Sequence, residues 1–322
     1  MDMKKILYII AGVLLLVSCQ HDVIYEVDYN VTLDPSNTYY AGEPVKFNFT
    51  GDVDNLLFYS GETGHQYKNR NRFEVPMEEV NAAKLTIQYQ ARYGYEDGLK
   101  VYVSNSFDGL TFDDAAADKA KVKAMVESGM AGWTELDYQE GKSTVWTSQE
   151  YDLSPYLSNV CLAFHWTPVR DGKSAQRTYW VNADITLDME GTAPSTMSVS
   201  DLGPNVIMMN DQIEDPYVKN NGNGTIILNK PATADIVFQG VGATVLDYGL
   251  DGWVFTTPSP LNKVANDKGI VVKNLQNYLH EYEYTWTEPG TYTVTFVGRN
   301  ENYAAASEEV IEYTVTILEK PE

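Results

Sequence analysis

The sequence predicts an all-β protein, built as tandem β-sandwiches with one helical insertion. Three observations predict it. Apolar residues recur at every second position in many short segments, as in Val45, Phe47 and Phe49, the period of a strand with one buried face. Turn pairs such as Asn221-Gly222 and Pro289-Gly290 punctuate these segments. Tyrosine is abundant, at 23 of 322 residues, and six tryptophans accompany it; aromatic residues are enriched in strands.

The chain opens with Met1-Asp2-Met3-Lys4-Lys5 and an apolar run over residues 6–17. A basic start followed by about a dozen apolar residues has the proportions of a secretory signal and falls short of the roughly 20 that span a bilayer. Leu16-Val17-Ser18-Cys19 resembles a bacterial lipobox. That resemblance implies a signal peptide over 1–18, cleavage before Cys19, acylation of Cys19, and membrane attachment through the lipid anchor only. Acylation supplies ~0.8 kcal/mol per buried methylene. Gln20-His21-Asp22 resembles the surface-export signals of Bacteroidota lipoproteins. Residues 19–38 read as a tether.

Strands follow. Tyr40-Ala41-Gly42-Glu43-Pro44 turns into the alternating stretch ending at Phe49, and Asn55-Leu56-Leu57-Phe58-Tyr59 forms a second apolar run. Residues 64–72 are polar and locally basic, hence a loop. Leu85, Ile87 and Tyr89 alternate, as do Leu99, Val101 and Val103. Residues 113–128 form the one convincing helix: acids at its start suit the helix dipole, and alanine favours helix. Strands resume at 160–166 and 179–187. Ala193-Pro194-Ser195-Thr196 reads as a linker. Beyond it lie the strands 225–228, 234–240 and 244–246, a hairpin closed at Pro289-Gly290, and a final strand over 309–318.

Three stretches carry further resemblances. Lys100-Val101-Tyr102-Val103-Ser104-Asn105-Ser106-Phe107-Asp108-Gly109, Trp133-Thr134-Glu135-Leu136, Tyr151-Asp152-Leu153-Ser154-Pro155-Tyr156 and Tyr179-Trp180-Val181 together resemble a jelly roll of the galactose-binding or choice-of-anchor type. The helical insert departs from the short connection of that module. Thr287-Glu288-Pro289-Gly290-Thr291-Tyr292-Thr293-Val294 resembles the closing hairpin of a PKD or immunoglobulin-like sandwich, and residues 40–49 resemble the opening strands of a similar module. The resulting division is an N-terminal PKD/immunoglobulin-like segment at 39–82, a jelly roll at 83–192 and a C-terminal sandwich at 196–322. Lipobox, Phe58-Tyr59-Ser60-Gly61-Glu62 and the closing hairpin together resemble a family of Bacteroidota surface lipoproteins of uncharacterised function. Some of its members accompany Sus-like outer-membrane glycan uptake systems.

The net charge of −22 excludes nucleic acid as a natural partner, because such a surface repels polyanions. Removing residues 1–18 takes away one acid and two bases and leaves −23. Neutral glycans suit this surface, and so many acids are compatible with structural calcium; no other cofactor is expected. Cys161 lies in an apolar strand and reads as a small hydrophobe. His21, His65, His165 and His280 are too dispersed for zinc spacing. No nucleophile elbow and no phosphate-binding glycine loop occurs, so an enzyme is not expected.

Aromatic residues remain. Trp286 reads as core from its alternation with Tyr284 and Tyr282, and the jelly-roll resemblance implies the same for Trp180; Trp133 and Trp146 stay open. Trp166 precedes a polar loop containing Arg170 and Asp171, and Trp253 is flanked by Asp251-Gly252. These four, Trp166, Arg170, Asp171 and Trp253, are the candidate ligand-binding residues, with packing as the alternative reading for each ring. The function expected is a surface-anchored lipoprotein that captures glycans beside an outer-membrane porin and other surface lipoproteins of a Sus-like system. The alternatives are a structural or adhesive lipoprotein that binds protein partners, and an extracytoplasmic hydrolase.

Overall fold

Alternating burial along the strands sets the layers. In Pro44–Asp52, Val45, Phe47 and Phe49 are buried while their neighbours face solvent. This strand lies between Asp28–Leu33 and Glu281–Thr285 in a three-stranded antiparallel sheet. A five-stranded sheet has the order Ile270–Lys273, Asn55–Tyr59, Gly290–Glu301, Ala306–Leu318, Tyr39–Tyr40, with only the last pair parallel. Phe47 packs its ring 5.1 Å from Phe296 and 5.8 Å from Phe58. Burying one such side chain contributes about 1.5–3 kcal/mol. The computed structural model describes residues 24–34, 37–92, 98–137, 145–168, 178–217, 224–230, 232–240 and 249–321.

The Phe58-Tyr59-Ser60-Gly61-Glu62 stretch serves this sandwich as a turn. Phe58 is core, and Ser60 is buried with its hydroxyl donated to Glu62 over 2.8 Å. Gly61 has φ of 83°, and a Cβ there would lie 2.7 Å from the Thr293 carbonyl oxygen, so glycine alone fits. Glu62 also accepts the Tyr284 hydroxyl. Trp286 is buried as expected and donates its indole N–H to the Ser60 carbonyl over 3.2 Å.

The chain divides into two units, Met1–Arg72 with Ala265–Glu322, and Phe73–Val264. This corrects the division at 39–82, 83–192 and 196–322. The segment containing Phe47 and the hairpin containing Trp286 belong to one sandwich, because each presents an apolar face that the other covers. The expected linker at Ala193-Pro194 is a hairpin bend instead: Ser195–Ser198 pairs with Thr178–Met189, with Leu187 opposite Ser195.

The inserted unit is a second two-sheet sandwich. One sheet has the order Thr225–Lys230, Ala234–Gln239, Thr178–Met189, Val80–Arg92, Thr147–Asp152, with Ser195–Ser198 as a sixth strand on Thr178–Met189. The other runs Asn205–Met208, Gly252–Phe255, Cys161–Trp166, Leu99–Ser104, Thr134–Glu135. Leu85, Ile87, Tyr179 and Val181 face Val101, Phe164, Trp166 and Val254 across the core. Strands beyond residue 202 therefore complete both sheets. The ends of this unit lie side by side, with the Val264 N–H donated to the Phe73 carbonyl over 3.0 Å.

The helix Ala115–Glu127 matches the expected insertion. Asp114 caps it by accepting the Ala117 N–H over 3.0 Å, a contact usually worth about 1 kcal/mol. Its Val122 and Met125 pack with Tyr102, Cys161, Trp253 and Phe255. The helix thus covers the outer face of the five-stranded sheet. No helix among the described residues is long and apolar enough to cross a membrane.

Candidate functional site

Strand parity decides the fate of the two tryptophans singled out from sequence. Trp166 pairs with Leu99 and Gly252, and its alternation with outward-facing His165 turns it into the core, where it is 0% exposed. Trp253 does face outward from its sheet, but it is 1% exposed. His165 lies flat on it at 3.8 Å, and the helix and Phe255 close the remaining sides. Neither indole offers a face to a ligand, which corrects the expectation for both. His165 Nε2 is 2.9 Å from Asp251 Oδ1, so the acid beside Trp253 serves that imidazole. Arg170, Asp171 and Cys19 lie outside the described residues.

The buried groups near the helix are structural. Asp118 accepts the N–H groups of Thr111 and Phe112 at 3.0 and 2.8 Å and the Tyr217 hydroxyl at 2.7 Å. Burial alone would push its carboxyl up; these donors outweigh it and hold the group below the usual range. Burial pushes the Cys161 thiol up to about 12, with Thr256 opposing, so this cysteine stays protonated. Among the described residues no group of three or more His, Cys, Asp or Glu is placed to hold a metal ion.

The outer face of the six-stranded sheet is different: among the described residues no helix packs on it, although Gln90, Val237 and Thr225 on that face are buried. Val80–Arg92 and Thr178–Met189 run antiparallel with Trp180 opposite Gln90, Asn182 opposite Gln88 and Asp184 opposite Thr86. Tyr179, Val181, Ile87 and Tyr89 point inward, so these polar partners and Trp180 point outward. This corrects the reading of Trp180 as core. The Arg92 guanidinium lies 3.7 Å above the centre of the Trp180 ring. Arg92 Nε donates to Gln90 Oε1 over 2.8 Å. Stacking and this bond fix the guanidinium plane, and its terminal amino groups hold no hydrogen bond to any described residue.

Trp146 immediately precedes the edge strand of this sheet, whose first residue Thr147 lies opposite Tyr89. It is 39% exposed. Beyond Trp180 on the same strand, Asn182 accepts the Asp235 N–H at 3.0 Å, and Asp235 accepts the Ala183 N–H at 3.1 Å. These two side chains continue the ladder where backbone pairing with Ala234–Gln239 stops, and they stiffen the face. Asp184 stands beside them, its carboxyl pushed up by burial and by the charges of Asp235 and Asp201.

Among the described residues this face combines an indole topped by a guanidinium with amides on regular strands, of which Gln90 is buried and already bonded to Arg92. It can stack on apolar ring faces and hydrogen-bond hydroxyls.

The family model described as a domain of unknown function, DUF5017, matches residues 18–202. The chain belongs to that family. Its matched region takes the first part of the outer sandwich and most of the inserted one, including Gln90, Arg92, Trp146 and Trp180, and stops before the last strands of both. Neither the curated proteins nor the solved structures gave a match.

The face was readable in one respect. Gln88, Gln90 and Arg92 share one parity, and Trp180, Asn182 and Asp184 share another. That both parities reach the same outer surface follows only from the pairing of the two strands.

Proposed function

We propose that the outer face of the six-stranded sheet is a glycan-binding platform on a surface-anchored lipoprotein. The observation that carries this reading is Trp180, opposite Gln90, with Arg92 held over its indole, together with exposed Trp146 just before the edge strand of the same sheet. A sugar ring stacks its C–H face on Trp146, while the guanidinium and the neighbouring amides take hydroxyls. The stiff strands beneath them reduce the ordering cost of binding. The lipobox at Cys19 supports anchoring, and the resemblance to lipoproteins of Sus-like systems supports glycan uptake beside a porin.

Binding of the mature protein to a polysaccharide panel, by affinity electrophoresis and calorimetry, tests the platform. Truncating Trp146 to alanine should weaken affinity by about 30-fold, corresponding to ~2 kcal/mol for an aromatic anchor, with little change in melting temperature. Trp180→Ala should weaken it similarly. Wild-type protein that binds no polysaccharide, or variants that bind as well as wild type, would overturn the reading in favour of a structural or adhesive role.

A further inference from the structure

The outer sandwich holds a cleft of about 300 Å³ lined by Tyr29, Phe49, Asp52, Lys273, Tyr278 and His280, among others. Its floor is aromatic and its rim is polar. Lys273 is 8% exposed, an unusual position for an ammonium. The Nζ donates to the Val53 carbonyl oxygen and lies 3.5 Å from Asp52 Oδ1. An ammonium has three donors, so one remains unspent among the described residues. Asp52 uses Oδ1 to accept the Val53 N–H over 3.0 Å, lines the cleft, and has an exposed side chain. Tyr278 stands over the opening, 79% exposed, with its ring 5.8 Å from that of His280.

The geometry points to a second saccharide site here, one that takes a single sugar ring through a vicinal diol. A fixed donor and a fixed acceptor side by side match two adjacent hydroxyls, one accepting from Lys273 and one donating to Asp52. Tyr278 supplies the stacking face. The volume is at the lower end for small-molecule sites, which suits one ring and excludes a chain. Asp52 beside the ammonium cancels its charge, so a neutral sugar fits better than an acidic one. The groups belong to Met1–Arg72 with Ala265–Glu322, and the sheet-face platform belongs to Phe73–Val264, so each site stands without the other.

Saturation-transfer NMR on the full mature chain, with the methyl glycosides of glucose, galactose, mannose, xylose and N-acetylglucosamine as probes, tests this site. At least one glycoside should receive saturation from the wild type. Its affinity should fall ~10-fold or more, the equivalent of one anchoring contact, in both Tyr278→Ala and Asp52→Asn, and should be retained in Trp180→Ala. Both cleft positions are exposed, and melting curves verify that each variant is folded. No binding of any probe, persistence in either cleft variant, or loss in Trp180→Ala would overturn the inference. Polysaccharide binding that survives Tyr278→Ala would leave the sheet-face platform standing when this site fails.

Discussion

Asp184 shows how a single side chain reports on its surroundings. It sits on the outer face of the six-stranded sheet, and burial first, then Asp235 and Asp201, push its carboxyl above the usual range. A raised value means that the folded protein holds the proton more tightly than the unfolded chain does. The stabilising proton is present below the ordinary aspartate range and is lost as pH rises through the folded-state value, leaving an unfavourable charge at neutral pH. Asp184→Asn should therefore raise the melting temperature at pH 7. The gain should vanish near about pH 3, where the aspartate is already protonated. Thermal melts of the two proteins across that range check it; a gain that persists at low pH would assign the effect to something other than charge. Asp118 has the opposite sign and a different use, as the anchor of the segment that precedes the helix.

That anchor belongs to the scale of elements. The helix Ala115–Glu127 is amphipathic only weakly, with Asp118, Val122 and Met125 as its buried residues. An element with so few apolar contacts needs its polar ones. Asp118 ties Thr111, Phe112 and Tyr217 to the first turn of the helix. Asp118→Ala should cost on the order of 3 kcal/mol, since bonds to a charged acceptor are worth about 1.5–3 kcal/mol and the donors become stranded. Its depressed value adds a pH signature: the stability it supplies is present above the usual aspartate range and is lost as pH falls through the folded-state value. Denaturant titration at pH 7 and at pH 3 should show a large difference between wild type and variant at pH 7 and a smaller one at pH 3. Equal stability at pH 7 would remove Asp118 from this role. The covering of Trp253 depends on the same helix, so Asp118→Ala should also shift tryptophan fluorescence.

For the molecule as a whole, the outer sandwich is interrupted and then resumed. The chain leaves it at Arg72 and returns at Ala265. The inserted sandwich begins and ends side by side: Val75 N–H donates to the Asn262 carbonyl over 3.0 Å, and Asn262 Nδ2 donates to the Val75 carbonyl over 2.6 Å. Adjacent ends and a separate core are the marks of a unit that folds alone. An excised chain of residues 73–264 should fold cooperatively with a β-rich circular dichroism spectrum. A chain of residues 19–202, the extent of the family match with the leader removed, should not, because four strands of the inserted sandwich are missing and the outer sandwich lacks its central Gly290–Glu301 strand. A single sharp melt from 19–202, or none from 73–264, would contradict this division.

The sequence by itself determined the class of fold, the helix, and the inward face of most strands. Val45, Phe47 and Phe49, or Leu85, Ile87 and Tyr89, could be assigned to a core because period-two burial is a local property. Residues 113–128 read as helix for a local reason as well. The sequence could not say which face covers which. Phe47 and Trp286 are far apart along the chain yet share one core, and no local pattern pairs them. Trp253 and Trp180 show the same limit from both sides. Both lie on outward faces of sheets; the glycine beside Trp253 makes it a candidate for exposure, and the jelly-roll resemblance implies a core place for Trp180. The helix lies over the first sheet, so Trp253 is buried, while Trp180 on the second is only half-buried. Which outer face the helix packs on is a property of the tertiary structure alone.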